Sequence, residues 1–188
     1  MKNIAIFASG SGTNAQNIIE YFKEDSSIGI IRIYSNKENA YVLNRAKNLT
    51  IPTLIFDKAD FYETDMVLNQ LQKDKTDLIV LAGFLWLIPK NILKSYPNQV
   101  VNIHPALLPN FGGKGMYGSF VHEAVINAHE KESGISIHFV NEKYDEGEII
   151  FQARCSIEKN ETPDSLAAKI HALEHKHFPK VIGKILNV

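Results

Sequence analysis

Apolar positions along the chain come in short blocks, separated by stretches with helical spacing. Ile4 to Phe7 is a continuous apolar run that predicts a buried strand, and Asn14 to Phe22 spaces its apolar residues as a helix does. "GIIRIYSN" predicts a second strand, followed by a helical stretch near Ala40 to Lys47. "PTLIFD" predicts a third, followed by a polar helix from about Lys58 to Lys73. "DLIVLAGF" is almost wholly apolar, as a central parallel strand covered on both faces must be. A short helix from Pro89 leads to "QVVNIH". Beyond the next loop, "GSFVHEAVINAHE" is helical in spacing, while "GISIHFV" and "GEIIFQARCSI" alternate as strands. Thr162 and Pro163 supply an N-cap and a first-turn proline for a long last helix.

This alternation predicts an α/β fold, a single Rossmann-like domain over residues 1–188. Its mostly parallel twisted sheet carries helices on both faces. Ligands of such folds gather at the carboxyl ends of the strands. Asn102 and His104, which end "QVVNIH", stand at such a place.

Composition removes several function classes. Lys and Arg total 20 against 21 Asp and Glu, so no net field selects nucleic acid or an acidic surface. Cys155 is the single cysteine and cannot form an internal disulfide, which fits a reducing compartment. The opening "MKNIAIFASGSGTN" holds an apolar run of only Ile4 to Ala8, too short for a signal-peptide core or a membrane span. A cytoplasmic protein with neither nucleic-acid nor membrane partner is expected.

Candidate chemistry begins at "ASGSGTNA", residues 8–15, between the first strand and the first helix. Glycine lets the backbone turn tightly, and free N–H groups at a helix start favour an anion such as phosphate. The plain alternative is a tight turn capped by Thr13 or Asn14. Gly10, Gly12 and Ala15 also satisfy the relaxed dinucleotide fingerprint, but that motif wants an acid at the end of the second strand, where Ser35 and Asn36 stand. "GGKG" at residues 112–115 fails as a triphosphate loop, having glycine where Ser or Thr should hold magnesium.

Asn102 and His104 are two apart, so on a strand they share a side and can converge on one carbonyl. An amide can donate to an oxyanion, and an imidazole can carry a proton near neutral pH. Asp145, in the turn after "GISIHFV", is the candidate carboxylate partner. A single histidine in such a fold is more often a hydrogen-bonded structural residue. "HALEH", residues 171–175, matches H-x-x-E-H, whose histidines share a helix face as zinc ligands must; no Asp or Glu follows Glu174 to complete a site, so no metal is expected.

"FASGSGTN", "SNK", "LAGF", "NIHPALLP", "SIHFV" and "YDEG" occur in this order along nearly the whole chain. With these motifs it resembles the folate-dependent formyltransferases, and the glycine turn with "SNK" favours their glycinamide ribonucleotide branch. The resemblance implies transfer of the formyl group of 10-formyltetrahydrofolate to the amine of 5-phosphoribosylglycinamide, in purine biosynthesis. Formylfolate is then a co-substrate, with no tightly bound cofactor, and the chain a monomer or weak homodimer. The family's catalytic Asn, His and Asp fall on Asn102, His104 and Asp145, with His104 kept protonated by Asp145. Its phosphate turn falls on Gly12, Thr13 and Asn14, and its ribose-binding glutamate on Glu174. Its folate pocket falls on Leu85, Trp86, Leu87 and Ile88, with the loop Asn141, Glu142, Lys143, Tyr144 and Asp145. The N-terminal part thus binds nucleotide and the C-terminal part folate.

There are departures. Only Lys58 is available near the folate tail, Trp86 stands where many relatives have arginine, and "FGGKGMYG" replaces the usual loop after Pro109. Two rivals share the fold: a hydrolase releasing formate from formylfolate, and a nucleotide-binding module without catalysis. Hydrolases usually carry an additional domain ahead of this one, and transferases for methionyl-tRNA or nucleotide sugars one after it; neither is expected here.

Overall fold

In the computed structural model, which describes residues 1–187, the apolar runs become seven strands of one sheet. They are β1 (Lys2–Phe7), β2 (Ile28–Ser35), β3 (Thr53–Ile55), β4 (Leu78–Leu81), β5 (Val100–His104), β6 (Glu132–Phe139) and β7 (Ile149–Ser156). Their order is β3-β2-β1-β4-β5-β6-β7; the first five run parallel, and β6 and β7 are antiparallel.

Period-2 alternation explains why the central runs are apolar throughout. Ile4 and Ile6 of β1, Leu78 and Val80 of β4, and Val101 and Ile103 of β5 enter one core. Ala5 and Phe7, Ile79 and Leu81, and Val100 enter another on the opposite face. The first core is covered by α1 (Thr13–Tyr21), α2 (Tyr41–Asn48), and two later helices, α6 (Ser119–Asn127) and α7 (Pro163–Leu186). The second is covered by α3 (Lys58–Tyr62), α4 (Met66–Lys73) and α5 (Lys90–Ser95). Among the described residues no helix is long and apolar enough to cross a membrane.

One expectation is corrected here: the stretch 58–73 is two helices, not one. Thr64 Oγ1 donates to the Asp60 carbonyl at 3.0 Å and accepts from the Met66 N–H at 3.2 Å. A hydroxyl competing for backbone groups in this way ends one helix and starts the next.

Thr162 caps α7 as expected, its side chain accepting from the Ser165 N–H in a capping box. Along α7 the buried residues Leu166, Ile170, Glu174 and Phe178 repeat every fourth position, so a carboxylate occupies the apolar stripe. The crossovers leave β1 and β4 in opposite directions, which opens a crevice at their carboxyl ends.

Candidate functional site

A cavity of about 710 Å³ fills that crevice, a volume suited to small-molecule ligands. Its walls come from the turn after β1, residues 81–88 after β4, the end of β5, the loop 113–118, and α7.

The turn after β1 is shaped by Gly12, the N-cap of α1, whose φ of 74° is left-handed. A Cβ there would lie 2.4 Å from Val42 Cγ2, so both conformation and space require glycine. No side chain caps α1, which leaves its first N–H groups free for an anion. The Ser9 hydroxyl, buried, donates to Asn36 Oδ1 at 2.7 Å and accepts from the Leu85 N–H at 3.1 Å. Asn36 therefore braces the turn, in the place where a dinucleotide site would carry its acid. Lys37 and Lys114 line the same cavity.

Across from the turn, Glu174 is 5% exposed, and its Oε2 accepts from Asn14 Nδ2 at 2.8 Å. His171 Nδ1 lies 3.0 Å from the same oxygen, and that contact raises the His171 proton affinity above its usual value. Two of the three H-x-x-E-H side chains thus form a polar patch with Asn14.

The other end of the cavity holds Asn102, His104 and Asp145. Asn102 Nδ2 is 3.0 Å from His138 Nε2 and 3.4 Å from Asp145 Oδ1. His104 is 3% exposed; its Nδ1 lies 3.5 Å from Asp145 Oδ2, and its Nε2 lies 2.8 Å from the Phe111 carbonyl. A carbonyl only accepts, so Nε2 carries a proton there. Gly113 N–H donates to Asp145 Oδ2 at 2.9 Å.

The proton affinity of His104 departs from the sequence expectation in direction. Burial is the largest influence and lowers its pKa below the ordinary 6.5, although Asp145 and the Phe111 carbonyl oppose it. Burial thus works against the cationic form that the Asp145 carboxylate favours. Asp145 shifts the other way relative to its own burial. Burial pushes its carboxyl up, but His138, His104 and the Gly113 N–H together bring it below the usual carboxylate value.

Asp145 and Phe111 both have left-handed backbones, φ 55° and 54°. Each such non-glycine residue stores strain of order 1 kcal/mol, and both flank His104.

His138 is the residue that sequence reading missed. It lies directly opposite Asn102 in the β5–β6 ladder and is 2% exposed. Its Nδ1 donates to the Phe139 carbonyl at 2.8 Å, and its Nε2 lies 3.0 Å from Asn102 Nδ2 and 3.6 Å from Asp145 Oδ1. The "SIHFV" motif contained it, but strand register was needed to bring it to Asn102. Ser136, opposite His104, was missed for the same reason. Fully buried, it accepts from the Leu108 N–H and donates to the Ala106 carbonyl, tying down the loop behind His104. The Leu108–Pro109 bond in that loop is cis.

Residues 85–88 line the cavity, with Trp86 in an aromatic cluster of Phe56, Phe61, Tyr62 and Phe84. Lys58 Nζ sits 6.0 Å from the Trp86 ring centroid. Lys143, Tyr144 and Asp145 also line the cavity. Asn141 and Glu142 do not, contrary to the expectation for this loop. Asn141 Oδ1 accepts from the Lys143 N–H at 2.9 Å, and Glu142 pairs with Lys90 at 2.9 Å, so local partners turn both away.

Comparison with known proteins agrees with this geometry. The model of the formyl transferase family matches residues 2–182. Phosphoribosylglycinamide formyltransferase of Bacillus subtilis is 35% identical over 195 aligned residues, covering all of this chain and 96% of that protein. The chloroplastic phosphoribosylglycinamide formyltransferase of Arabidopsis thaliana is 40% identical over 98% of this chain, which spans 65% of that relative's length. A crystal structure of phosphoribosylglycinamide formyltransferase from Bacillus halodurans superimposes with a TM-score of 0.88 at 37% identity, covering 98% of this chain and 95% of that one. With the strand-end cavity and the Asn102, His104 and Asp145 cluster already in place, these matches settle the kinship: the chain belongs to the formyl transferase family.

Proposed function

We propose that the chain transfers the formyl group of 10-formyltetrahydrofolate to the amine of 5-phosphoribosylglycinamide. The observation that carries this is one continuous cavity. It runs from the uncapped N–H groups at Gly12, past Glu174, to Asn102, His104 and Asp145, and on to the wall of residues 85–88. A phosphorylated nucleotide suits the first part, with phosphate at Gly12, Thr13 and Asn14 and ribose at Glu174. A flat pteridine suits the apolar part along Leu85, Trp86, Leu87 and Ile88, with Lys143 and Tyr144 beside it. The amine and the formyl carbon then meet at His104. Relatives bearing the name phosphoribosylglycinamide formyltransferase support phosphoribosylglycinamide as the formyl acceptor.

In this mechanism the amine attacks the formyl carbon and the carbonyl electron pair moves onto oxygen. Asn102 Nδ2 and the His104 imidazole donate to that oxyanion. His104 Nε2 exchanges the Phe111 carbonyl for the formyl oxygen, and Asn102 gives up its long contact to Asp145. The new negative charge beside the buried ring offsets the burial that lowers its proton affinity, so the oxyanion favours protonated His104. The proton released by the attacking nitrogen passes by Asp145 and a bridging water to N10 as the carbon–N10 bond breaks. Nothing becomes covalently attached to the protein.

Incubation with 10-formyltetrahydrofolate, with and without phosphoribosylglycinamide, tests the proposal through the absorbance of the released folate. Turnover that requires the amine is expected. Turnover without it would make the chain a hydrolase, and no turnover in either case would leave a nucleotide-binding module.

A further inference from the structure

No step of the formyl transfer uses His122. It lies on α6, lines the cavity, is 4% exposed, and its buried Nδ1 has no hydrogen-bond partner among the described residues. Its neighbours in the buried face of α6, Val121 and Val125, are ordinary core residues. A buried polar atom left unpaired costs about 1–3 kcal/mol, and an apolar side chain at this position would avoid that cost. The imidazole therefore suits a partner that arrives with a ligand. A second unpartnered buried atom, Asn14 Oδ1, belongs to the residue that holds Glu174.

The surroundings of His122 indicate which part of a ligand it meets. Burial, and then the charge of His171, lower its proton affinity, and His122 lines the same cavity as Glu174 and His104. Glu174 stands at the ribose end of the site and His104 at the reacting end. Between the ribose and the attacking amine, phosphoribosylglycinamide has a single polar group, the amide of its glycinamide arm. We infer that His122 is a specificity-determining residue that holds this amide and so sets the span from ribose to amine. A neutral imidazole offers one donor and one acceptor, as an amide requires. It also adds no positive charge beside an amine that must lose its proton to attack. This inference rests on the function proposed above.

Calorimetric titration with two probes, 5-phosphoribosylglycinamide and ribose 5-phosphate, tests it. The wild type should bind both. His122→Leu should weaken the glycinamide ribonucleotide about tenfold, the loss of one buried hydrogen bond, while ribose 5-phosphate binding changes less than about twofold. His122→Asn, whose amide reaches the place of Nδ1, should recover most of the loss. In turnover, KM for the nucleotide should rise in His122→Leu while KM for formylfolate stays constant. His122→Phe takes its place, with the same split required, if the leucine chain does not fold. Equal losses for both probes, or no loss for either, would overturn the role of His122 alone. A wild type that binds neither probe would overturn the proposed function, and this inference with it.

Discussion

Asn102 Nδ2 stands between His138 Nε2 and Asp145 Oδ1 in the free chain. Only the contact to Asp145, at 3.4 Å, is long enough to surrender cheaply to an oxyanion. Asn102→Ala removes that donor and should lower kcat by about 10²–10³, since one oxyanion donor supplies about 3 kcal/mol. Steady-state kinetics checks this, with circular dichroism confirming the fold. His104 allows a direct test of charge. Its ring resonances, followed by NMR against pH, should give a midpoint below 6.5 in the free chain. Asp145 raises that value, so Asp145→Asn should move the midpoint lower still; an upward shift would contradict the assignment.

At the scale of elements, two pieces of β6 decide how β5 presents its chemistry. Ser136 holds the loop behind His104 through the Leu108 N–H and the Ala106 carbonyl. Ser136→Ala leaves both buried and unpaired and should cost about 1–3 kcal/mol, measured as a lower urea midpoint with an unchanged slope. Much of this architecture was legible beforehand. The apolar runs of β1, β4 and β5 and the Thr162 cap announced themselves by period and by residue type. Asn102 and His104 stood at a strand end, where an α/β sheet collects ligands. His138 and Ser136 were hidden because their importance depends on antiparallel register, which no single strand encodes. The break at Thr64 was hidden because its apolar spacing continues on either side. The lowered proton affinity of His104 was hidden because burial depends on how other segments pack against it.

For the whole molecule, the histidines set an acid sensitivity. His104, His122 and His177 have proton affinities lowered by folding, with burial the largest cause in each, while His171 is raised by Glu174. A lowered histidine binds more protons unfolded than folded, so its contribution is whole above about pH 6.5 and is lost as pH falls below it. His171 acts in the opposite sense but is a single group. Urea stability should therefore drop between pH 7 and pH 5, and a rise would contradict the burial assigned to these rings. The most direct test of the molecule as a whole follows the formyl carbon. Given 10-formyltetrahydrofolate labelled with ¹³C in its formyl group, together with phosphoribosylglycinamide, the chain should deliver the label to the formyl amide of the nucleotide. Label appearing as free formate, or remaining on folate with both substrates bound, would contradict direct transfer.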